Sequence, residues 1–215
     1  MIRLSSRRYL VRGLAVAATG ALALVGVVIG ATNGGAATGT AASDTDSCVT
    51  GGTGTILMNK SYIHHMLSHH ISITPLDWSS TSATNSYTIT NYSATGGDAD
   101  LSASTGVVQY NGGVLVMNTI TGHKLVLLDI KYDLVNSQIV YSVVTLGGIQ
   151  IPAFDLAGDE QRTIDGNTRT YSASKLLVSA TAASAMDSYF GTNVFQAGDV
   201  MGPGFRTTYT VGPCA

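Results

Sequence analysis

Between residues 86 and 211 the chain is a succession of short segments in which apolar and polar residues alternate, broken by Gly, Asn and Ser. A period of two puts one face of each segment against a core and leaves the other wet. This pattern constrains the chain to an antiparallel β architecture. Residues 86–90, 106–110, 113–117, 125–132 and 138–144 read as strands. Asn111-Gly112 predicts a two-residue hairpin turn between its neighbours, and Asn136-Ser137 predicts another turn. Residues 149–156 read as an edge strand, because Pro152 has no amide to give to a ladder. Two stretches depart from the period of two. Residues 60–70 carry Tyr62, Ile63, Met66 and Leu67 at helical spacing, and the Ala-rich stretch 180–190 reads as a second short helix. The expected fold is mostly β: an antiparallel β-sandwich or open barrel with one N-terminal and one C-terminal short helix.

Composition narrows the function classes. The chain has 215 residues, with 11 basic against 13 acidic side chains, and only 11% of it is charged. It is too apolar for a disordered chain, and its positive charge is too scarce for a nucleic-acid face. Arg3, Arg7, Arg8 and Arg12 precede an apolar run over residues 14–31, and small residues follow it. That order describes an export signal, and the paired arginines resemble a twin-arginine signal. A membrane anchor is the competing reading, diluted by Thr19, Gly20, Gly26 and Gly30. The chain therefore divides into a signal peptide (1–42), a flexible leader (43–51) and a single β domain (52–215). The mature protein is expected to be secreted or held at the cell surface, and out of the membrane once the signal is cleaved. Two cysteines, Cys48 and Cys214, lie near the two ends of that mature chain. In an oxidising compartment they are expected to pair and close nearly the whole domain.

Chemistry-bearing motifs are few. The chain has no Gly-x-Ser-x-Gly and no His-Glu-x-x-His, and Glu160 is its only glutamate. It reads as a non-enzyme. Asp98 and Asp100 read as a solvated turn in a Gly-rich loop. The histidines say more. Four of the five are His64, His65, His69 and His70. On a helix His65 and His69 are one turn apart, which suits two imidazoles on one divalent ion. His64 points about 100° away from His65. The fifth, His123, stands in Thr121-Gly122-His123-Lys124, before a strong strand. Met58, Tyr62, Met66 and Leu67 would line an apolar slot beside the first helix, met by Tyr110 and Met117 from the sheet. The plainer reading of the methionines is ordinary core filling.

The order of these elements resembles a haem-transport-associated (HtaA-type) domain of exported actinobacterial proteins. The family opens with a strand running into a helix of the pattern Gly-x-Leu-x-Trp-Gly-Val-Lys-x-Ser-Phe-Arg-x-Tyr, and residues 52–65 lie along it. Ser61 matches, Tyr62 sits at the Phe and Ile56 replaces the Trp. Residues 112–127, with Gly122-His123, resemble the family's paired strands and Gly-His. The stretch 153–156, the Ala-rich helix and Phe195-Gln196-Ala197-Gly198 resemble its close. The resemblance implies haem capture outside the cell, without catalysis, and a hand-over to another exported haem carrier. In such domains the helix Tyr ligates the iron and the Gly-His histidine hydrogen-bonds that ligand. The Tyr position falls here on His65. The resemblance thus implies His65 as axial ligand, Tyr62 as its rival and His123 as the supporting partner. Met58 and Met66, as residues of the apolar slot, would lie against the porphyrin. Two other readings stay open: a structural or interaction module without a cofactor, and divalent-metal binding at residues 64–70.

Overall fold

Alternation becomes strand almost wherever the sequence shows it. The structure, a computed structural model, describes residues 48–76 and 79–214. The expected signal peptide and the leader residues 43–47 lie outside the described residues. In chain order the elements are β1 (Cys48–Asn59), α1 (Lys60–Ser68), β2 (Ile71–Pro75), β3 (Ser79–Ala83), β4 (Tyr87–Asp100), β5 (Thr105–Asn118), β6 (Lys124–Asp133) and β7 (Gln138–Val143). A short 3₁₀ turn, η1 (Val144–Leu146), leads to β8 (Ile149–Asp165), β9 (Thr168–Val178), α2 (Ala180–Phe190), β10 (Val200–Gly202) and β11 (Gly204–Gly212). The first strand thus begins at Cys48, so residues 48–51, expected in the leader, belong to the sheet.

The strands pair antiparallel in the order β1–β4–β5–β6–β7–β8–β9–β11 and back to β1, a closed barrel of eight strands. This corrects the expectation of a sandwich or an open barrel. The closing contact is β4 with β5, Ser93–Asp100 against Thr105–Asn111, and it removes the two free edges an open barrel would keep. Beyond that contact β4 and β5 part. β2 continues along β5 from Asn118 to Val114, and β3 continues along β4 from Tyr92 to Thr88.

Asn111-Gly112 marks this change of partner rather than a hairpin turn. β5 runs through it unbroken, with a bulge between Tyr110 and Gly113 in its pairing with β6. Gly112 has φ +125°, and a Cβ on Gly113 would collide with the carbonyl oxygen of Leu127. The glycines serve bulge and close approach, which a turn signal read from sequence does not distinguish. Pro152 likewise does not mark an edge. β8 lies between β7 and β9, and Pro152 sits at a bulge where Ile139 pairs with Phe154 and Val140 with Pro152. Asp98 and Asp100 belong to β4, with Asp100 at its end.

The bulge has a use. Ser179, the N-cap of α2, accepts a hydrogen bond from Ala182 N at 3.0 Å, and its hydroxyl donates to Pro152 O. The start of α2 is thereby fixed to the barrel rim. The barrel has two distinct ends. One carries α1, α2, the β5–β6 loop and η1. The other carries the β4–β5, β6–β7 and β8–β9 turns and the Cys48–Cys214 disulfide, whose Cα atoms are 5.0 Å apart across a separation of 166 residues.

Candidate haem site at the helix end

α1 is short, so its contacts rather than its propensity hold it. Tyr62 and Met66, one turn apart, are its buried residues. Lys60 N donates to Ser86 O at 3.0 Å, which satisfies one amide at a start where Asn59 makes no side-chain cap. His69 closes the helix, and His70, at φ +63°, turns the chain into β2.

Beneath α1 lies an apolar void of about 30 Å³ lined by Met58, Tyr62, Tyr92, Met186, Phe195 and Met201 among others. A second of about 20 Å³ shares Leu127, Tyr141 and Met186 with it and runs toward Leu146 and Ala185. Each has room for about one water and offers it few polar partners. A site that swallows a cofactor needs roughly 300–1,000 Å³. The interior is therefore a packed core with slack, not a preformed pocket.

The candidate residues divide accordingly. Tyr62 and Met58 line the void. Met66 is wholly buried, while Leu67 is exposed. Tyr110 is turned elsewhere in the barrel, its hydroxyl 2.6 Å from Thr207 Oγ1, and Met117 is half-buried. Val114 and Val116 supply the β5 wall instead. Burial raises the Tyr62 phenol above its ordinary pKa, and the charges of Asp199 and Asp187 push it the same way. It is a neutral phenol near pH 7.

His65, His69 and His123 are all exposed. The rings of His65 and His69 stand edge to face with centroids 4.8 Å apart, as the spacing on a helix requires. His123 sits in a loop tightened by Asn118, whose Oδ1 accepts from Ile120 N at 3.0 Å and Thr121 N at 3.1 Å. Thr119 N donates to His70 O at 2.8 Å, so this loop is fastened to the end of α1. The ring that His123 meets is Tyr189 of α2, at 5.9 Å, and the Tyr189 hydroxyl donates to Lys124 O at 2.9 Å. Sequence reading missed Tyr189, Met186, Phe195 and Met201. Met186 and Phe190, four apart in α2, were the available signal for that helix's inner face. Phe195 is carried inward by Asp187, whose Oδ1 accepts from Thr192 Oγ1, Val194 N and Phe195 N. Among the described residues no group of three or more His, Cys, Asp or Glu is placed to hold a metal ion. No helix among them is long and apolar enough to cross a membrane.

No family model and no curated protein matches the chain. Solved structures do. The C-terminal domain of HtaA from Corynebacterium glutamicum aligns over 78% of this chain and 100% of that domain, with a TM-score of 0.50 and 13% identity. The heme binding protein HtaB from the same organism aligns over 77% of this chain and 95% of its own, with a TM-score of 0.45 and 13% identity. At such identity the likeness is one of architecture, and it agrees with the resemblance drawn from the residues. The closed barrel with its two flanking helices is an HtaA-type domain in fold.

Proposed function

We propose that the protein binds haem at the helix end of the barrel, with His65 as the axial ligand, and serves as an exported, non-catalytic haem carrier. The observation that supports this reading is the position of His65. In an HtaA-type fold it stands on the exposed side of α1, and the Gly-His loop is tied to the end of that helix through Thr119 and His70. An imidazole there is a competent iron donor. Exposed Leu67 and Ile120, at 46% and 70% accessibility, offer apolar surface at the same end. The voids beneath α1 do not hold a porphyrin, so the donor set fits haem from the outer side of the helix.

Chemistry favours His65 over Tyr62. Ligation by Tyr62 would require ionising a buried phenol against two neighbouring carboxylates, whereas His65 binds as a neutral ring. His123 and Tyr189 would lie along the rim as supporting groups. Export rests on the basic start, the apolar run and the disulfide. Delivery to another exported haem carrier is the natural fate of a ligand held at a surface.

A haemin titration read from the Soret band tests the proposal. We expect an equimolar, saturable shift that His65→Ala abolishes and Tyr62→Phe leaves in place. The reverse pattern would move the ligand to Tyr62. A flat titration would overturn haem binding and select the cofactor-free module, which the small size of the voids under α1 favours.

A further inference from the structure

We propose that His65 and His69 form a two-imidazole chelate for a late divalent transition-metal ion on the outer side of α1, taking copper(II) ahead of nickel(II) and zinc(II). Three observations carry it. The residues are four apart on one helix, and their rings stand 4.8 Å apart at 71°. Metal–nitrogen bonds of about 2 Å put two nitrogens on one ion about 3 Å apart, a separation that rings so placed reach by rotation about their side-chain bonds. Both rings are exposed, and among the described residues neither imidazole makes a hydrogen bond, so no hydrogen bond must be broken. Finally, the pair lies at the C-terminal end of α1, with His69 as the C-cap, where the helix dipole favours a cation.

The helix supplies the preorganisation. Tyr62 and Met66 anchor its other side in the core, so the two rings start close together. With two protein donors the remaining positions fall to water, and the ion stays exchangeable. Copper(II) leads because imidazole sites follow the Irving–Williams order. The neighbouring histidines are internal controls. His64 projects about 100° round the helix from His65. His70 lies beyond the C-cap, where φ +63° takes the chain away from the helix.

The experiment is a calorimetric titration of the purified protein with copper(II) alone, at neutral pH and without haemin. One equivalent should bind saturably. His69→Ala should weaken it on the order of tenfold or more, because losing a ligand costs at least what losing a ligand's supporting contact does. A double variant, His64→Ala with His70→Ala, should bind as the wild type does. All four side chains are exposed, and circular dichroism checks that each variant is folded. The chelate is overturned if His69→Ala binds unchanged, if affinity falls only with the number of histidines removed, or if the isotherm is flat. His65 is also the donor proposed for haem iron. Leaving haemin out lets the chelate fail while the haem reading stands.

Discussion

The two ends of the barrel are built from different materials. At the turn end, rigid groups lock. Tyr132 and Tyr171 stack with centroids 4.8 Å apart, and Arg162 covers Tyr171 at 5.6 Å. Arg162 also reaches Ser104 across the opening and Glu160 at 3.1 Å, while Leu101 and Leu134 are buried beneath the turns. At the helix end, Met58, Met66, Met186 and Met201 are buried instead, and all but Met66 line the small voids. Methionine is unbranched and adapts its shape, so that end repacks at small cost. It also carries the exposed histidines and exposed Leu67, Ile120, Leu146 and Ile149. The contrast separates two jobs. One end secures the fold, and the other is left deformable and supplied with donors.

Removing the disulfide is the strongest way to break this contrast. Cys48→Ala with Cys214→Ala opens a loop of 166 residues and should cost about 5 kcal/mol by loop-closure entropy. Urea unfolding of the oxidised wild type against the double variant measures it. A loss under about 1 kcal/mol would mean that the turn end does not depend on its covalent tie.

Sequence reading saw faces but not partners. Alternation told which side of each strand is buried, and the disulfide and both helices were legible, α2 at its full span of residues 180–190. Closure was not, because β4 and β5 each change neighbours part-way and a period of two is the same beside either neighbour. Gly112, Gly113 and Pro152 carried signals whose local meaning is ambiguous: each permits a turn or an edge, and here each serves a bulge. At the site, helical spacing placed His65 beside His69 and Tyr62 above Met66. It did not show that Tyr62 points into a void near Asp187 and Asp199, since those carboxylates come from the far end of the chain.

The buried tyrosines of the turn end sharpen the comparison in the other direction. Among the described residues, the hydroxyl of Tyr209 is buried without a hydrogen-bond partner. For Tyr209, burial pushes the phenol up to about 12, against the opposing charges of Arg169 and Arg162. An unmet buried hydroxyl costs about 1–3 kcal/mol, so Tyr209→Phe should range from neutral to stabilising by that amount. Thermal unfolding decides it. A destabilised variant would show that the hydroxyl has an ordered water as partner, and that the turn end is wetter than its packing implies.

The smallest effect concerns the β4–β5 turn that finishes the locked end. Asp100 Oδ1 accepts from the Ser102 hydroxyl at 2.5 Å, from Ser102 N at 2.8 Å and from Ala103 N at 3.1 Å. The Ser102 hydroxyl does most to hold its carboxyl below the ordinary value. Slight burial works against it, and the two amides and the charge of Arg169 add to it. A carboxylate whose folded pKa is depressed contributes stability that is fully present above its unfolded value, near 3.9. That contribution is lost as pH falls through the lower folded value. Between about pH 5 and pH 2.5 the wild type should therefore lose more stability than Asp100→Asn, whose amide oxygen still accepts from the turn but does not titrate. Because the group is mostly exposed, the difference should be a small part of the total acid loss, to which the other carboxylates also contribute. Parallel slopes for the two proteins across that window would show that the turn is held by its backbone geometry. The charge on Asp100 would then contribute nothing to closing that end.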